Sequence, residues 1–221
     1  MQQFGRMKPL KIISTNIAEP KTIVWQGEEV TTGMYKKATT NPLFLSANGV
    51  KDDSVIDTRY HGGTDKACYF YSADHYEMWK QEYPDLDWEW GMFGENMTVE
   101  ALNEADVRIG DIYELGLAIV QVTQPRQPCF KLGHRFNDAK MVQKFISKKL
   151  PGVYVKVIRE GNVSAGSTMH LIARNPENMT VAEVFDLIYN GKQNPEKVKA
   201  AINMPELADS CKKDLQKRMN R

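Results

Sequence analysis

The residues of this chain best suited to chemistry lie together in Gln124-Pro125-Arg126-Gln127-Pro128-Cys129-Phe130-Lys131-Leu132-Gly133-His134-Arg135. One cysteine, Cys129, stands among three fixed cations, Arg126, Lys131 and Arg135. Pro125 and Pro128 each lack a backbone donor and stiffen the chain, which predicts a rigid corner and not the middle of a strand or helix. Pro128 suits the first position of a helical turn. Cys129 would then sit at a helix N-terminus, where partial positive charge and the nearby cations favour a thiolate. Such a thiolate can act as a nucleophile, a redox thiol or a soft metal ligand. The competing reading is a small buried core cysteine with surface cations around it.

Two further stretches carry residues of the same kind. In Asp57-Thr58-Arg59-Tyr60-His61-Gly62-Gly63-Thr64-Asp65-Lys66, paired glycines permit close backbone approach or left-handed angles. Arg59, His61 and Lys66 place positive or protonatable groups beside Gly62 and Gly63, a composition that suits an anion-binding concavity of backbone N–H groups. A polar turn between strands explains it equally well, and the phosphate-loop spacing G-x-x-x-x-G-K-[ST] is absent. In Trp88 to Val99, Asn96 and Thr98 can hydrogen-bond a polar ligand, or Asn96 can serve turn chemistry.

These stretches need a frame, and the chain supplies many short apolar runs broken by glycine-containing turns. Strands are expected at Leu10–Ile17, Lys21–Trp25, Val30–Tyr35, Asn41–Leu45, Ala67–Tyr71, Val107–Gly116 (interrupted by a Gly-Asp turn), Leu117–Thr123, Val153–Arg159 and Val163–Ile172. The last two should form a hairpin through Glu160-Gly161-Asn162. This pattern predicts a mostly β, barrel-like or sandwich fold and not a doubly wound sheet. The Leu117–Thr123 strand delivers Gln124 to Cys129 at its end. Ser72 is a candidate cap for a helix over residues 73–82, whose Tyr76, Trp79 and Tyr83 form an apolar stripe that reads as core, with His75 on another, surface-facing side. A second helix is expected over Lys140–Leu150. After Pro176 the composition changes to three short helices. Thr180-Val181-Ala182-Glu183 is a capping box for the first, Asn194-Pro195 opens the second and Pro205 the third. This divides the chain into a β domain at 1–175 and a helical domain at 176–221.

Global properties narrow the classes. The chain has 221 residues, enough for a substantial core, and a net charge of +1, which makes no case for nucleic acid or a membrane surface. From Lys192 onward eight Lys/Arg face four Asp/Glu, which reads as a solvated basic face. Cys68, Cys129 and Cys211 form no C-x-x-C pair, so neither a zinc site nor a disulfide framework is expected. No signal peptide or membrane span is evident, and a reducing cytoplasm is the expected setting.

Taken in order, Tyr60-His61-Gly62-Gly63 with Asp65-Lys66-Ala67, then Phe93-Gly94-Glu95-Asn96-Met97-Thr98, then Gln124 to Leu132, resemble the MOSC family, named for the molybdenum cofactor sulfurase C-terminal domain. The similarity is greatest to the stand-alone bacterial branch, which carries a three-helix C-terminal domain, and it spans roughly residues 10–221. Two turns depart from the family pattern. Gly166-Ser167 stands where Gly-Asp is common after the last strands. Gly49-Val50-Lys51-Asp52 stands where Gly-Asp is common ahead of His-Gly-Gly.

The resemblance implies a β-barrel-like domain that binds a molybdenum–molybdopterin cofactor, with Cys129 as molybdenum ligand. It implies reduction of N-hydroxylated compounds, such as 6-hydroxylaminopurine, to amines, with electrons from a separate redox protein. The cofactor's phosphate calls for cations and glycine-rich backbone, which assigns Arg59, Gly62, Gly63, Lys66, Arg126, Lys131 and Arg135 to it. Asn96 and Thr98 would meet the pterin edge, and His61 would deliver a proton or touch the cofactor. The helical tail would dock the electron donor or cover the site. A homodimer is compatible with all of this. A different class, a sulfur carrier using Cys129 as the nucleophile that holds a persulfide, would need the same thiolate.

Overall fold

The computed structural model describes residues 8–56 and 62–219. Its strands are β1 (Leu10–Ile17), β2 (Lys21–Trp25), β3 (Glu28–Thr32), β4 (Lys37–Thr39), β5 (Leu43–Ser46), β6 (Gly49–Val50), β7 (Cys68–Ser72), β8 (Met97–Glu100), β9 (Ile112–Leu115), β10 (Ala118–Pro125), β11 (Val153–Arg159), β12 (Gly161–Val163) and β13 (Thr168–Ala173). Its helices are α1 (His75–Glu82), α2 (Phe130–Arg135), α3 (Met141–Lys148), α4 (Val181–Asn190), α5 (Pro195–Ile202) and α6 (Asp209–Met219).

Seven strands close on themselves in the order β13-β9-β10-β11-β7-β8-β1, with β1 returning to β13, and β4 extends from β1. Every neighbouring pair is antiparallel except β7 and β8. That parallel pair needs a crossover, which α1 and the loop after it provide. The alternation expected of a strand with one buried face is plain on β10. Ala118, Val120 and Val122 are buried, while Ile119 and Gln121 between them are partly exposed. The barrel expectation is therefore met.

The hairpin expected between β11 and β13 does not form. Gly161–Val163 is itself a strand and pairs with β5, while β13 crosses to pair with β9 and β1. Gly161 is required for close approach and not for a turn. A Cβ there would lie 2.5 Å from the Leu117 carbonyl carbon.

Two apolar clusters hold the molecule. One joins the barrel strands to the three C-terminal helices. Val120, Val122 and Val155 belong to the same cluster as Val184, Leu187, Cys211 and Leu215. The expected helical unit is present, and it shares its core with the barrel. Its first helix has the expected capping box, with the Thr180 hydroxyl accepting from the Glu183 N–H and the Glu183 carboxylate accepting from the Thr180 N–H. Its third helix begins at Asp209, later than expected from Pro205, because Met204, Leu207 and Ala208 are buried in a turn anchored to β10.

The second cluster is aromatic. Tyr76 and Trp79 of α1 pack with Tyr71, Phe93, Phe136 and Phe145, so the α1 stripe is core as expected. Burying each of these rings stabilises the fold by roughly 2–3 kcal/mol. Two details differ from the sequence reading. Ser72 ends β7, and its buried hydroxyl has no partner among the described residues, while Asp74 takes the cap position. His75 is not a surface residue. Its ring nitrogen lies 2.9 Å from the buried Glu104 carboxylate.

Candidate functional site

β10 ends at Pro125, and Cys129 is the extended N-cap of α2, with φ −129° and ψ 174°. The helix therefore starts one residue after the cysteine, which keeps Cys129 at its N-terminus as expected while Pro128 stays outside. A solvent-open cavity of about 660 Å³ lies against this corner. Its walls are the end of β3 with Gly33 and Met34, the segment Asp53–Ile56, the start of β7, Phe93 and Gly94, Tyr154 of β11, and the corner itself.

The cavity brings together Cys129, Arg126, Lys131, Lys66, Asn96 and Gly62 from stretches far apart in sequence. Gly62 takes φ +81°, and a Cβ there would approach Val55 Cγ1 to 2.8 Å, so this wall needs glycine. Gly63 also has a positive φ but does not line the cavity. Arg59 and His61 lie outside the described residues.

Two expected ligand contacts are placed elsewhere. Thr98 is fully buried beneath the cavity. Its hydroxyl donates to Glu95 at 2.8 Å and accepts from Asn16 at 3.2 Å, so it is spent within the fold and does not line the cavity. Arg135, on the last turn of α2, pairs with Glu89 at 3.0 Å and lies over the Tyr35 ring at 4.8 Å. Asn96 does face the cavity, but its side chain is already engaged. Nδ2 donates to Asp53 Oδ2 at 2.8 Å and to the Asn16 carbonyl at 3.3 Å, and Oδ1 accepts from Tyr69 N at 3.2 Å. Asn96 therefore braces the wall of the site.

Asp53 and Lys36 are residues that the sequence reading missed. They form a buried ion pair at the cavity, and Asp53 Oδ1 also accepts from Ala18 N at 2.9 Å. The signal was present in the departure ahead of the His-Gly-Gly block. Asp52 takes φ 63°, a conformation in which glycine is the usual residue.

Among the described residues the lining is cation-rich: Lys36, Lys66, Arg126 and Lys131 stand there with the carboxylate of Asp53, which is committed to Lys36. Arg126 is 4% exposed, and its guanidinium lies 5.5 Å from the Tyr69 ring and 5.3 Å from the Phe145 ring. Nη2 reaches the weak acceptor Met34 Sδ at 3.8 Å, the Tyr154 hydroxyl also interacts with the guanidinium, and Nη1 is buried with no hydrogen-bond partner among the described residues. An arginine stays charged, so this burial costs several kcal/mol until an anion meets it. Burial lowers the pKa of Lys66, while Asp214, Cys211 and Asp65 oppose the shift. Burial raises that of Tyr154 against the opposing charge of Arg126, so its hydroxyl keeps its proton. The arrangement suits a ligand with several negative charges and a soft atom placed beside Cys129.

Known proteins agree with this geometry. The MOSC domain matches residues 57–170, and the YiiM-like, 3-alpha helix domain matches residues 179–221. YflK of Bacillus subtilis is 33% identical over 210 residues, covering 95% of each chain. A protein of Gibberella moniliformis named reductase is 36% identical over 166 residues, and the match spans 73% of this chain but 29% of that longer protein. The crystal structure of YiiM from Geobacillus stearothermophilus superposes with a TM-score of 0.80 at 32% identity, covering 96% of this chain and all of that one. With its closed barrel, cation-lined cysteine cavity and C-terminal helices, the chain belongs to the MOSC domain family and carries the YiiM-like 3-alpha helix domain.

Proposed function

We propose that this protein is a molybdenum-cofactor-dependent reductase that converts N-hydroxylated compounds, of which 6-hydroxylaminopurine is an example, to amines. The observation that carries the proposal is the buried Arg126 Nη1, unpartnered among the described residues, in the cavity that also holds Cys129. A phosphate-bearing cofactor fits such a place. It offers the oxygens that Arg126 and Lys131 call for, and Cys129 offers the thiolate that a soft metal prefers. The reductase name of one relative and the family's general link to this cofactor point the same way.

The overall change is R–NHOH + 2 electrons + 2 protons → R–NH2 + H2O. When bound, the cofactor supplies the two-electron chemistry. The chain's own residues do the rest. Arg126 and Lys131 neutralise and orient the anion. Asp53, through Asn96 and Lys36, holds the wall that the ligand packs against. Tyr154, kept neutral by burial, can donate a hydrogen bond. The electrons come from a separate redox protein, and the cytoplasm is the setting we assign. Among the described residues no helix is long and apolar enough to cross a membrane.

The test is Cys129→Ser in protein made in a cofactor-competent host. Loss of bound molybdenum together with loss of N-hydroxylamine reduction is expected. Full metal content and normal turnover would sink the assignment, and a persulfide on Cys129 in metal-free, functional protein would favour sulfur transfer instead.

A further inference from the structure

The C-terminal helices reach the cysteine corner. Ser210, Cys211, Asp214 and Leu215 fall on one stripe of α6 by their spacing. Cys211 and Leu215 are buried against the core. The polar members of the stripe meet the end of β10. Ser210 Oγ donates to Gln124 Oε1 at 3.0 Å, and Gln127 Nε2 donates to Asp214 Oδ2 at 2.9 Å. Just before the helix, Ala208 N donates to the Thr123 carbonyl at 3.1 Å. The three ties fall on Thr123, Gln124 and Gln127, immediately ahead of Cys129. Pro125 and Pro128 bring no N–H to this segment, so it has fewer backbone donors with which to fix itself, and side-chain ties carry more of its placement.

We propose that Asp214 is a positioning residue of the cavity: through Gln127 it sets the Arg126–Cys129 corner, which makes the helical domain a working part of the site and not only a docking surface or a lid. Asp214 also opposes the effect of burial on Lys66, a residue of the cavity lining. The inference goes beyond the reductase reading, since it concerns where the thiol and guanidinium stand before any ligand arrives.

The experiment is the rate at which Cys129 reacts with iodoacetamide in the full-length, cofactor-free protein, followed by mass spectrometry well below the melting temperature. Cys68 and Cys211 are buried and serve as unreactive internal references. Asp214→Ala and Gln127→Ala should each change the Cys129 rate by about threefold or more, and the double variant should do no more than either alone, as expected of two partners in one contact. Asp214→Asn keeps an acceptor for Gln127 and should react like the wild type. Leu215→Val trims packing on the same face of α6, and it should lower the melting temperature without moving the rate. A wild-type rate in Gln127→Ala would overturn the proposal even if Asp214→Ala failed to fold. So would multiplying effects in the double variant, an Asp214→Asn rate like that of Asp214→Ala, or an equal change in Leu215→Val. Because thiol reactivity is read without cofactor, failure here is distinguishable from failure of the molybdenum assignment.

Discussion

Arg126 is a buried guanidinium and Arg174 a half-buried one, and their surroundings are opposite. Arg174 is matched. Its Nε donates to Asp111 Oδ1 at 2.8 Å, an Nη2 contact to Asp111 Oδ2 completes a two-point grip, and Nη2 also reaches the Asp106 carbonyl at 2.9 Å. Asp111 in turn accepts from Arg108 N at 2.9 Å. Arg126 has aromatic rings and a thioether around it, and Nη1 faces no acceptor among the described residues. Arg174 is half-buried over the buried Asp111 and is completed by the fold, and at the buried Arg126 we propose that a ligand completes it. A buried charge with its counter-charge present is a structural element, whereas one without it marks a binding site, because only an incoming anion offsets its desolvation.

The comparison can be broken most sharply at Arg174. Arg174→Met strands Asp111 in the interior without its cation, and a loss of about 3 kcal/mol in urea unfolding is expected, limited by the remaining Arg108 donor. The same change at Arg126 should behave differently. Arg126→Met should leave the stability of the cofactor-free protein within about 1 kcal/mol of the wild type or raise it, since an unmatched buried charge is removed. It should weaken retention of the anionic cofactor roughly 10- to 100-fold, the worth of charge-assisted hydrogen bonds. If Arg126→Met costs as much stability as Arg174→Met, Arg126 is structural and the contrast fails.

A surface carboxylate sets the lower end of the scale. Asp138 accepts from the Tyr83 hydroxyl at 2.8 Å and Lys140 N at 2.7 Å and pairs with Lys144 at 3.0 Å; the Tyr83 bond first, then the others, holds it down at about 2. An aspartate in the unfolded chain titrates near 4. The folded value is therefore depressed, and its contribution is present above about pH 4 and lost as pH falls toward 2. Asp138 is exposed enough for solvent to screen it, so the effect should stay below about 1 kcal/mol. Asp138→Asn should flatten the unfolding free energy between pH 4 and pH 2. An unchanged slope would remove Asp138 from the account.

Much of the site was legible because local chemistry announces itself. Cys129 at a strand-to-helix corner follows from two prolines and a strongly β run ahead of them. The capping box at Thr180 and Glu183 is visible as residue types at fixed spacing. What was not legible depended on where side chains point after the barrel closes. Arg135 reads as a third cation beside the cysteine, yet its pairing with Glu89 takes it away from the cavity. Thr98 reads as a ligand contact, yet it is buried and its hydroxyl is bonded to Glu95. Gly161 reads as a hairpin turn, and its role is instead to let β12 pass close to Leu117.

The cysteine corner, the glycine pair and the helical tail are determined by the sequence alone, since each rests on backbone preferences over a few residues. The cation-rich lining of the cavity among the described residues was decided by tertiary structure. Only barrel closure brings Lys36, Lys66, Arg126 and Lys131 to one hollow, spends Asp53 on Lys36 and leaves Arg126 Nη1 without an acceptor among the described residues. Asp214 shows the same division. Its distance from Cys129 along the chain says nothing, and the docking of α6 on the end of β10 brings it to Gln127. Long-range pairing, and not local preference, decides which buried charges the fold itself matches.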